Sequence, residues 1–474
     1  MENRKVEVAI IGAGTAGMAA YRAVRAHTDN LVVIEAGELG TTCARVGCMP
    51  SKLLLAAAEA ARQAQSATRF GVEVGSVRVA GDRVMGRLHS ERERFVAGVL
   101  SEVAMWPAEH LLRGTARFVA PGVLEVDARM RVEAARIVIA TGSRPVLPPA
   151  WRQALGNRLL VSDDVFEWRT LPASVAVAGT GAIGLELALA LHALGVRVAL
   201  YGRGANFGTL TDPLLQTRAQ EIFGATLPLH LDDSDIEPVL EAGEVVIRKG
   251  GSEERFELLI AAIGREPALE ALDLAAGGIP VDEKGQIPFD PATCQVDGLP
   301  VFLAGDVDNA APVLHVAAEE GRVAGQHAAR YPEVTPRERQ TPMSIVFSQP
   351  QIATAGARHA ELVARGEDFV CGQVSFSEQG RARLAGQAQG ALRVYAARAD
   401  GRLLGAEMIG PAAEHFAHLI AWAIEEGSSV QALLRRPFYH PVFEEGLRTA
   451  LAAARDAGLA EAHEGSASLN RMLG

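Results

Sequence analysis

The sequence predicts an α/β protein in which one parallel-sheet unit is inserted within another, followed by a C-terminal α+β domain. Two loops of the form Gly-x-Gly-x-x-Gly each stand between a short apolar run and a helix-forming run. Three later apolar runs end in glycine or acidic positions of the kind found at a ligand-binding sheet edge. After about Gln340 the pattern changes to helices and short alternating strands at 342–347, 369–376, 391–396 and 403–409.

The first unit lies near the N-terminus. A buried strand is predicted at 6–11, then a glycine loop, an Ala-rich helix to about His27, and a strand at 31–35 that ends in Glu35. Such a βαβ unit carries the dinucleotide fingerprint, because its glycines permit a tight turn and let backbone N–H groups approach a pyrophosphate. Glu35 stands where a ribose diol would be held. The loop glycines are Gly12, Gly14 and Gly17.

A second unit of the same kind follows. It has a predicted strand at 174–178, a glycine loop, a helix from Leu185 to Leu194 and a strand at 196–201. Two units imply two dinucleotides, or one dinucleotide and a decayed copy. Retention of every glycine favours two. These glycines are Gly179, Gly181 and Gly184.

Three further strands complete the units: 136–145 with Thr141 and Gly142, 258–265 with Gly264, and 301–306 with Asp306. The last returns to the first unit, because an acid at a strand end can hydrogen-bond a polyol chain. The second unit is therefore expected inside the first, with domain limits of 1–148, 149–272, 273–340 and 341–474.

Two cysteines, Cys43 and Cys48, follow the first glycine loop by about thirty residues. The run after Cys48 favours a helix with Pro50 near its start, and a thiolate at a helix N-terminus is stabilised by unpaired N–H groups. The pair could close into a disulfide, stay reduced, or bind a metal. No metal site is predicted, because zinc needs four ligands and no Cys/His cluster accompanies the pair. The position beside a nucleotide loop favours a redox disulfide.

Composition narrows the function classes. A formal net charge of −11 over 474 residues argues against a nucleic-acid partner. Four cysteines favour a reducing compartment, here the cytoplasm. The longest apolar stretch, 185–201, includes Glu186, His192 and Arg197, so it predicts a buried helix and strand and no membrane span.

These motifs resemble those of the class I pyridine nucleotide-disulfide oxidoreductases, a family of flavoproteins. The resemblance covers nearly the whole chain. It rests on the two glycine loops, Cys-x4-Cys-x-Pro-Ser-Lys, Ala-Thr-Gly at 140–142, Gly-Asp at 305–306, and the segment from His440 to Glu445. The family pattern in that last segment is His-Pro-Thr-x-x-Glu, so Val442 departs from it and loses a hydroxyl. The resemblance implies a glutathione reductase-like fold, a C-terminal dimerisation domain and a homodimer.

The resemblance also implies the site. Cys43 and Cys48 would form the redox disulfide beside FAD, with an ion pair of Lys52 and Glu186 next to the flavin ring. FAD would be bound by Gly12, Gly14, Gly17, Glu35, Thr42, Lys52, Thr141, Gly142 and Asp306. The nicotinamide dinucleotide would be bound by Gly179, Gly181, Gly184, Gly202, Arg203 and Gly264.

His440 and Glu445 would act together. A carboxylate on one ring nitrogen fixes the tautomer and raises the basicity of the other nitrogen. The resemblance places this pair against the disulfide of the other subunit, where His440 would remove a thiol proton from a dithiol that attacks Cys43. The active site would then need two subunits.

Three features favour the dihydrolipoamide dehydrogenase branch, acting on a small dithiol or a lipoyl domain. His440, with no cysteine pair after it, argues against the mercuric reductase pattern. Ala182 stands where glutathione reductase-like enzymes carry a Tyr. The segment 314–321 is similar to the corresponding helix of the lipoamide branch.

The choice of nicotinamide stays open between NAD and NADP. An NAD site usually ends its second strand with an acid, but here that position is Gly202, followed by Arg203. An arginine there can pair with a 2′-phosphate. The second arginine of NADP-dependent members is missing, and the branch favours NAD. Three alternatives remain: an NADP-dependent reductase of another small or protein-borne disulfide, a docking subunit of a lipoyl-bearing complex, and a quinone-reducing diaphorase.

Overall fold

A computed structural model describes residues 2–204, 206–231, 235–249 and 252–472. The N-terminal part forms a βαβ unit and then three α-helices before it returns to the sheet. Its elements are β1 (Glu2–Ile11), α1 (Thr15–Arg25), β2 (Leu31–Glu35), α2 (Thr42–Val46), α3 (Cys48–Ser66), α4 (Gly81–Val103), β3 (Leu111–Arg113), β4 (Ala116–Ala120), β5 (Val123–Val126), β6 (Met130–Ile139) and β7 (Ser143–Pro145).

The middle of the chain forms a second sheet of five parallel strands, in the order β11-β10-β9-β15-β8, and a separate antiparallel sheet of β12, β13 and β14. These elements are α5 (Pro149–Leu155), β8 (Leu159–Val161), α6 (Ser162–Val165), β9 (Ser174–Ala178), α7 (Ala182–Ala193), β10 (Arg197–Tyr201), α8 (Pro213–Gly224), β11 (Leu229–His230), β12 (Glu237–Glu241), β13 (Glu244–Lys249), β14 (Ser252–Phe256), β15 (Leu258–Ala261), β16 (Arg265–Pro267), β17 (Val301–Leu303) and α9 (Leu314–Arg330).

The second sheet is inserted between strands of the first. The first sheet has the order β3-β2-β1-β6-β5-β4, and β17 pairs in parallel with β6 after the chain has completed the second sheet. Strand β6 is ten residues long, so one edge pairs with β5 at its start and with β17 at its end. The chain leaves and re-enters the first unit through an antiparallel ribbon of β7 and β16. This nesting is as predicted.

The C-terminal part is an antiparallel sheet with the order β18-β19-β22-β21-β20, covered by helices. The fold class, with two nested Rossmann-like units and a C-terminal α+β domain, is confirmed. The elements are β18 (Met343–Val346), β19 (Gln351–Gly356), α10 (His359–Ala364), β20 (Phe369–Ser375), α11 (Gly380–Leu384), β21 (Ala391–Ala397), β22 (Leu403–Gly410), α12 (Ala413–Glu425), α13 (Val430–Leu434) and α14 (Glu445–Met472).

The second strand of this sheet and three short helices were not predicted from the sequence. Strand β19 has the sequence Gln-Ile-Ala-Thr-Ala-Gly, in which small residues give no clear alternation, yet β18 and β22 pair with it on either side. Helices α10, α11 and α13 have five or six residues each, too few for a helical period to show.

Packing around α7 holds the two nested units together. Leu185 and Leu189 of α7 share one core with Leu54 and Ala58 of α3, and nearly every side chain of α7 is buried. A helix that is apolar all round is buried on all sides, which explains why this segment resembled a long hydrophobic run. Among the described residues, no helix combines the length and the apolar character needed to cross a membrane.

A buried carboxylate ties the second unit to the C-terminal sheet. Glu407 of β22 is fully buried and accepts hydrogen bonds from the backbone N–H groups of Thr211 at 2.6 Å, Asp212 at 3.0 Å and His359 at 2.8 Å. Asp212, also fully buried, accepts from Arg393 at 2.7 Å. These hydrogen bonds fix Thr211 and Asp212, which directly precede α8, to the C-terminal sheet.

Candidate active site

A cavity of about 730 Å³ opens at the carboxyl edge of the first sheet. The residues that follow β1, β2, β6 and β17 line it, as expected for a ligand site at the ends of parallel strands. It brings together most of the predicted FAD and thiol residues: Gly12, Gly14, Glu35, Thr42, Cys43, Cys48, Lys52, Thr141, Gly142, Glu186 and Asp306. The predicted residues Gly17, His440 and Glu445 are not part of its lining.

The two glycine loops have the same internal geometry. At Gly12, with φ +108°, an added Cβ would lie 2.3 Å from the carbonyl oxygen of Ala140, and at Gly17 it would lie 1.9 Å from that of Gly12. At Gly14 it would meet nothing within 4 Å. Gly17 therefore serves the packing of α1, while Gly14 leaves the approach to the helix N-terminus open. In the second loop, an added Cβ would clash at Gly179 as at Gly12 and at Gly184 as at Gly17. At Gly181, as at Gly14, it would meet nothing within 4 Å.

Polar groups in the cavity fit a dinucleotide. Glu35 accepts hydrogen bonds from the N–H groups of Ala13 at 2.6 Å and Gly37 at 2.7 Å, which fixes its carboxylate beside the glycine loop. Asp306 accepts from the Ser143 hydroxyl at 3.0 Å. The hydroxyl oxygen of Thr141 is buried without a hydrogen-bond partner within the described part of the chain. A buried hydroxyl without a partner is costly, so this atom indicates a bound group. The α1 N-terminus would hold the pyrophosphate and the acids the hydroxyls of FAD.

A break between two helices brings the cysteines together. Cys43 lies in α2, and Cys48 is the first residue of α3, with Gly47 between the helices. A Cβ on Gly47 would lie 3.0 Å from the Thr42 carbonyl oxygen and 3.2 Å from the Cys43 Cα, so a larger residue would push the helices apart. Both cysteines are free thiols in this structure, and they hydrogen-bond to each other. A redox disulfide between them stays a prediction.

The hydrogen bond makes the two sulfurs unequal. Donation from Cys43 lowers the pKa of Cys48 to about 7, and the positive charge of Lys52 acts in the same direction. The same hydrogen bond raises the pKa of Cys43, with burial as the second cause. At neutral pH the negative charge of the pair therefore resides on Cys48, at the helix N-terminus.

The predicted ion pair of Lys52 and Glu186 lies at the wall of the cavity. Lys52 Nζ is 2.8 Å from Glu186 Oε2, and Lys52 also lies 4.5 Å above the ring of Phe347. Glu186 also accepts from the Ser51 hydroxyl at 2.8 Å and from the N–H of Phe347 at 2.9 Å. The sequence analysis named neither Ser51 nor Phe347. Ser51 is visible in the Pro-Ser-Lys motif, whereas a backbone N–H from a distant segment leaves no signal.

Two further cavity residues were missed. Ser143 donates to Asp306 and accepts a hydrogen bond from Nε of Arg265 at 2.9 Å, and Arg265 also donates to the Ser143 carbonyl at 2.9 Å. Arg265 begins β16, on the re-entry strand of the ribbon, and lines the cavity. The position of Asp306 is therefore set by both strands of the ribbon.

The residues assigned to the nicotinamide dinucleotide lie elsewhere, at the carboxyl edge of the second sheet. Gly179, Gly181 and Gly184 span the turn from β9 to α7, and Gly202 follows β10. Arg203 is exposed, and its Nε lies 2.6 Å from Oδ1 of Asp235. Gly264, with φ +130°, adjoins the ribbon, where its carbonyl accepts from the N–H of Val146 at 3.0 Å.

His440 and Glu445 form the predicted pair at a distance from the cavity lining. Nδ1 of His440 lies 2.9 Å from Oε1 of Glu445, and this interaction lowers the pKa of Glu445. The N–H of Val442 donates to the other carboxylate oxygen at 3.1 Å, so the backbone holds the carboxylate although the threonine hydroxyl is missing. The His440 side chain is 80% exposed and available to another molecule.

Comparisons with known proteins agree with this geometry. Residues 6–321 match the family described as pyridine nucleotide-disulphide oxidoreductase, and residues 342–451 match its dimerisation domain. Dihydrolipoyl dehydrogenase 2 of Haloarcula marismortui is 31% identical over 477 residues, covering 95% of this chain and 96% of that protein. Mercuric reductase of Streptomyces lividans is 30% identical over 456 residues, covering 92% and 93%.

Among solved structures, the HOCl-induced flavoprotein disulfide reductase RclA from Escherichia coli aligns with a TM-score of 0.80 over 94% of this chain and 99% of that chain. At 20% identity this likeness concerns the fold alone. The family matches imply a flavin-dependent oxidoreductase that uses FAD and NAD or NADP. The chain therefore belongs to the class I pyridine nucleotide-disulphide oxidoreductases, and it is similar to the dihydrolipoyl dehydrogenases among them.

Proposed function

We propose that the protein is an oxidoreductase of the dihydrolipoyl dehydrogenase type, which oxidises dihydrolipoamide, free or on a lipoyl domain, and reduces NAD⁺. One observation carries the proposal. A pair of cysteines with unequal pKa values lies in the cavity that the first glycine loop lines, beside the ion pair of Lys52 and Glu186. The low cysteine count supports placing this activity in the reducing cytoplasm.

The thiol chemistry can be written for this chain's own residues. In the oxidised pair, a substrate thiolate attacks Sγ of Cys43, forms a mixed disulfide and releases Cys48 as thiolate. The second substrate sulfur then displaces Cys43, which leaves as a thiol after taking up a proton. The substrate has become a cyclic disulfide and the cysteines a thiol and a thiolate. The lowered pKa of Cys48 supports this order, because the sulfur with the lower pKa is the better leaving group.

FAD, when bound, supplies the two-electron chemistry that re-forms the disulfide and reduces a nicotinamide. Lys52 faces the same cavity as Cys48, and its charge favours negative charge there. Glu186 in turn orients Lys52 through its hydrogen bonds. Lys52 and Glu186 would hold charge beside the flavin, while Glu35, Thr141 and Asp306 would bind the cofactor.

The proton acceptor is proposed to come from a second copy of the chain. His440 with Glu445 is a paired, exposed imidazole that does not line the cavity of its own chain. The match of residues 342–451 to a dimerisation domain supports a homodimer. In that arrangement the partner subunit's His440 takes the substrate thiol proton and returns it to Cys43.

The test compares steady-state turnover of dihydrolipoamide with NAD⁺ against reduction of oxidised glutathione by NADPH. We expect the first activity to dominate and the Cys43→Ser variant to lose it, while quinone reduction by NADH persists. Unchanged dihydrolipoamide turnover in that variant would rule out the thiol route. Family members differ in substrate, as the mercuric reductase relative shows, so reduction of Hg(II) by NADPH belongs in the same assay series.

The main competing function is an NADP-dependent reductase of another small or protein-borne disulfide. The observation in its favour is that Gly202 stands directly after β10, where an acid would be usual for NAD, and that Arg203 follows it. A large preference for NADPH with oxidised glutathione, and none for lipoamide, would establish this alternative.

A further inference from the structure

The end of β10 has no room for the acid that usually selects NAD. At Gly202 an added Cβ would lie 2.6 Å from Cγ2 and 3.1 Å from Oγ1 of Thr180, a buried residue of the second glycine loop. Contacts this short require the neighbour to move. The absence of an acid at position 202 is therefore a consequence of the threonine in the loop, and it does not by itself indicate a site built for NADP.

An acid that lies between β11 and β12 contacts Arg203 at the same edge. Strand β11 runs parallel to β10, and the N–H of Gly202 donates to the carbonyl of His230, the last residue of β11, at 2.9 Å. Beyond β11, Asp235 places its carboxylate 2.6 Å from Nε of Arg203. Arg203 follows Gly202 at the carboxyl end of β10, so the carboxylate that it contacts lies near the edge where the ribose of a dinucleotide would bind.

We infer that Asp235 decides the choice of nicotinamide, because it occupies Arg203 and places a negative charge where a 2′-phosphate would have to bind. The inference rests on the proposed dinucleotide site of the second unit and adds its specificity-determining residue. Both side chains are well exposed, at 74% and 66%, so a dinucleotide can reach either of them.

The two nucleotides make different demands on this pair. A 2′-phosphate must take Arg203 away from Asp235 and then lie close to the carboxylate, which repels it. A 2′-hydroxyl can donate a hydrogen bond to Asp235 while the ion pair stays in place. The arrangement therefore disfavours NADP although Arg203 alone would favour it. Since exposed ion pairs are weak, the expected effect is about tenfold and not several orders of magnitude.

The test is the Asp235→Asn variant, with Glu237→Gln as the matched control. Glu237 is exposed, begins β12 two residues later, and loses the same charge without touching the pair. The first readout is equilibrium binding of adenosine 2′,5′-bisphosphate and of AMP to the FAD-containing protein, measured by calorimetry. This readout needs neither the thiols nor a dithiol substrate, so it stays informative if the proposed function is wrong.

We expect Asp235→Asn to raise the affinity ratio of the bisphosphate to AMP about tenfold and Glu237→Gln to leave it unchanged. The ratio of kcat/KM for NADPH to that for NADH, with lipoamide as acceptor, should rise by a similar factor. Adding Arg203→Met to Asp235→Asn should remove most of the gain, because the freed Arg203 is what binds the 2′-phosphate. Equal ratios in Asp235→Asn and Glu237→Gln, or a gain that Arg203→Met leaves undiminished, would overturn the inference.

Discussion

Removing the thiol of Cys43 should change how the alkylation rate of Cys48 depends on pH. Cys43 donates the hydrogen bond that is the largest cause of the low pKa of Cys48, about 7 against a reference of 9.0. In Cys43→Ala that donor is gone, so the pKa should return towards 9. At pH 7 the thiolate fraction would fall from about one half to about one hundredth.

The reaction rate should fall by less than the thiolate fraction. A more basic thiolate is also a better nucleophile, by about tenfold for two pKa units. Alkylation of Cys48 by iodoacetamide should therefore slow about fivefold at pH 7 in Cys43→Ala, and exceed the wild-type rate above about pH 8. The two pH profiles should cross, which a simple loss of access to Cys48 would not produce.

The measurement can be made on each cysteine separately. Arg45 lies between the cysteines, so trypsin gives a peptide from Val46 to Lys52 that contains Cys48 alone, and mass spectrometry of the reduced, alkylated protein reports its modification. Cys43→Ser is the matched control, because its hydroxyl can still donate and should keep the midpoint near 7. A midpoint near 7 in Cys43→Ala would refute the assignment of this hydrogen bond as the cause.

Three other changes test the site and the fold. Thr141→Val removes the buried hydroxyl and should weaken FAD retention about three- to tenfold without lowering the melting temperature of the flavin-free protein, as flavin fluorescence and calorimetry would show. Glu407→Gln should lower the unfolding free energy by about 2–4 kcal/mol in urea titrations, because three N–H donors, including that of Thr211, lose a charged acceptor; an unchanged midpoint would contradict this. Glu445→Gln should reduce kcat for dihydrolipoamide about a hundredfold at unchanged FAD content, because the ring of His440 loses its carboxylate; full kcat would exclude the pair from catalysis.

The two nested units could be predicted from the sequence because the residues that indicate each unit lie close together in the chain. Each glycine loop combines residues that pack within a few positions of one another, as at Gly12 and Gly17 or Gly179 and Gly184. A strand before the loop and a helix after it then define the unit. Strand β19 was missed because its small side chains show no alternation, and only its neighbours β18 and β22 make it a strand.

The candidate site likewise contains residues that the sequence indicates and residues that it does not. Cys43, Cys48 and Lys52 are close in sequence and could be found from one motif. Phe347 contributes a backbone N–H, and Asp235 lies outside the strands, between β11 and β12, so their positions depend on tertiary packing that no spacing encodes. Site residues that one segment carries could be grouped from the sequence, whereas contacts between distant segments could not be predicted.

The ribbon of β7 and β16 also determines how separable the inserted region is. Pro145 and Arg265 are directly paired in this ribbon. The two ends of the inserted segment between them therefore lie next to each other. Because β6 and β17 pair with each other directly, the host sheet does not depend on the insert for its hydrogen bonds. A tight turn that joins these two positions would thus yield a shortened flavin-binding domain. This requires that the apolar residues of α3 that pack against α7 be replaced by polar ones.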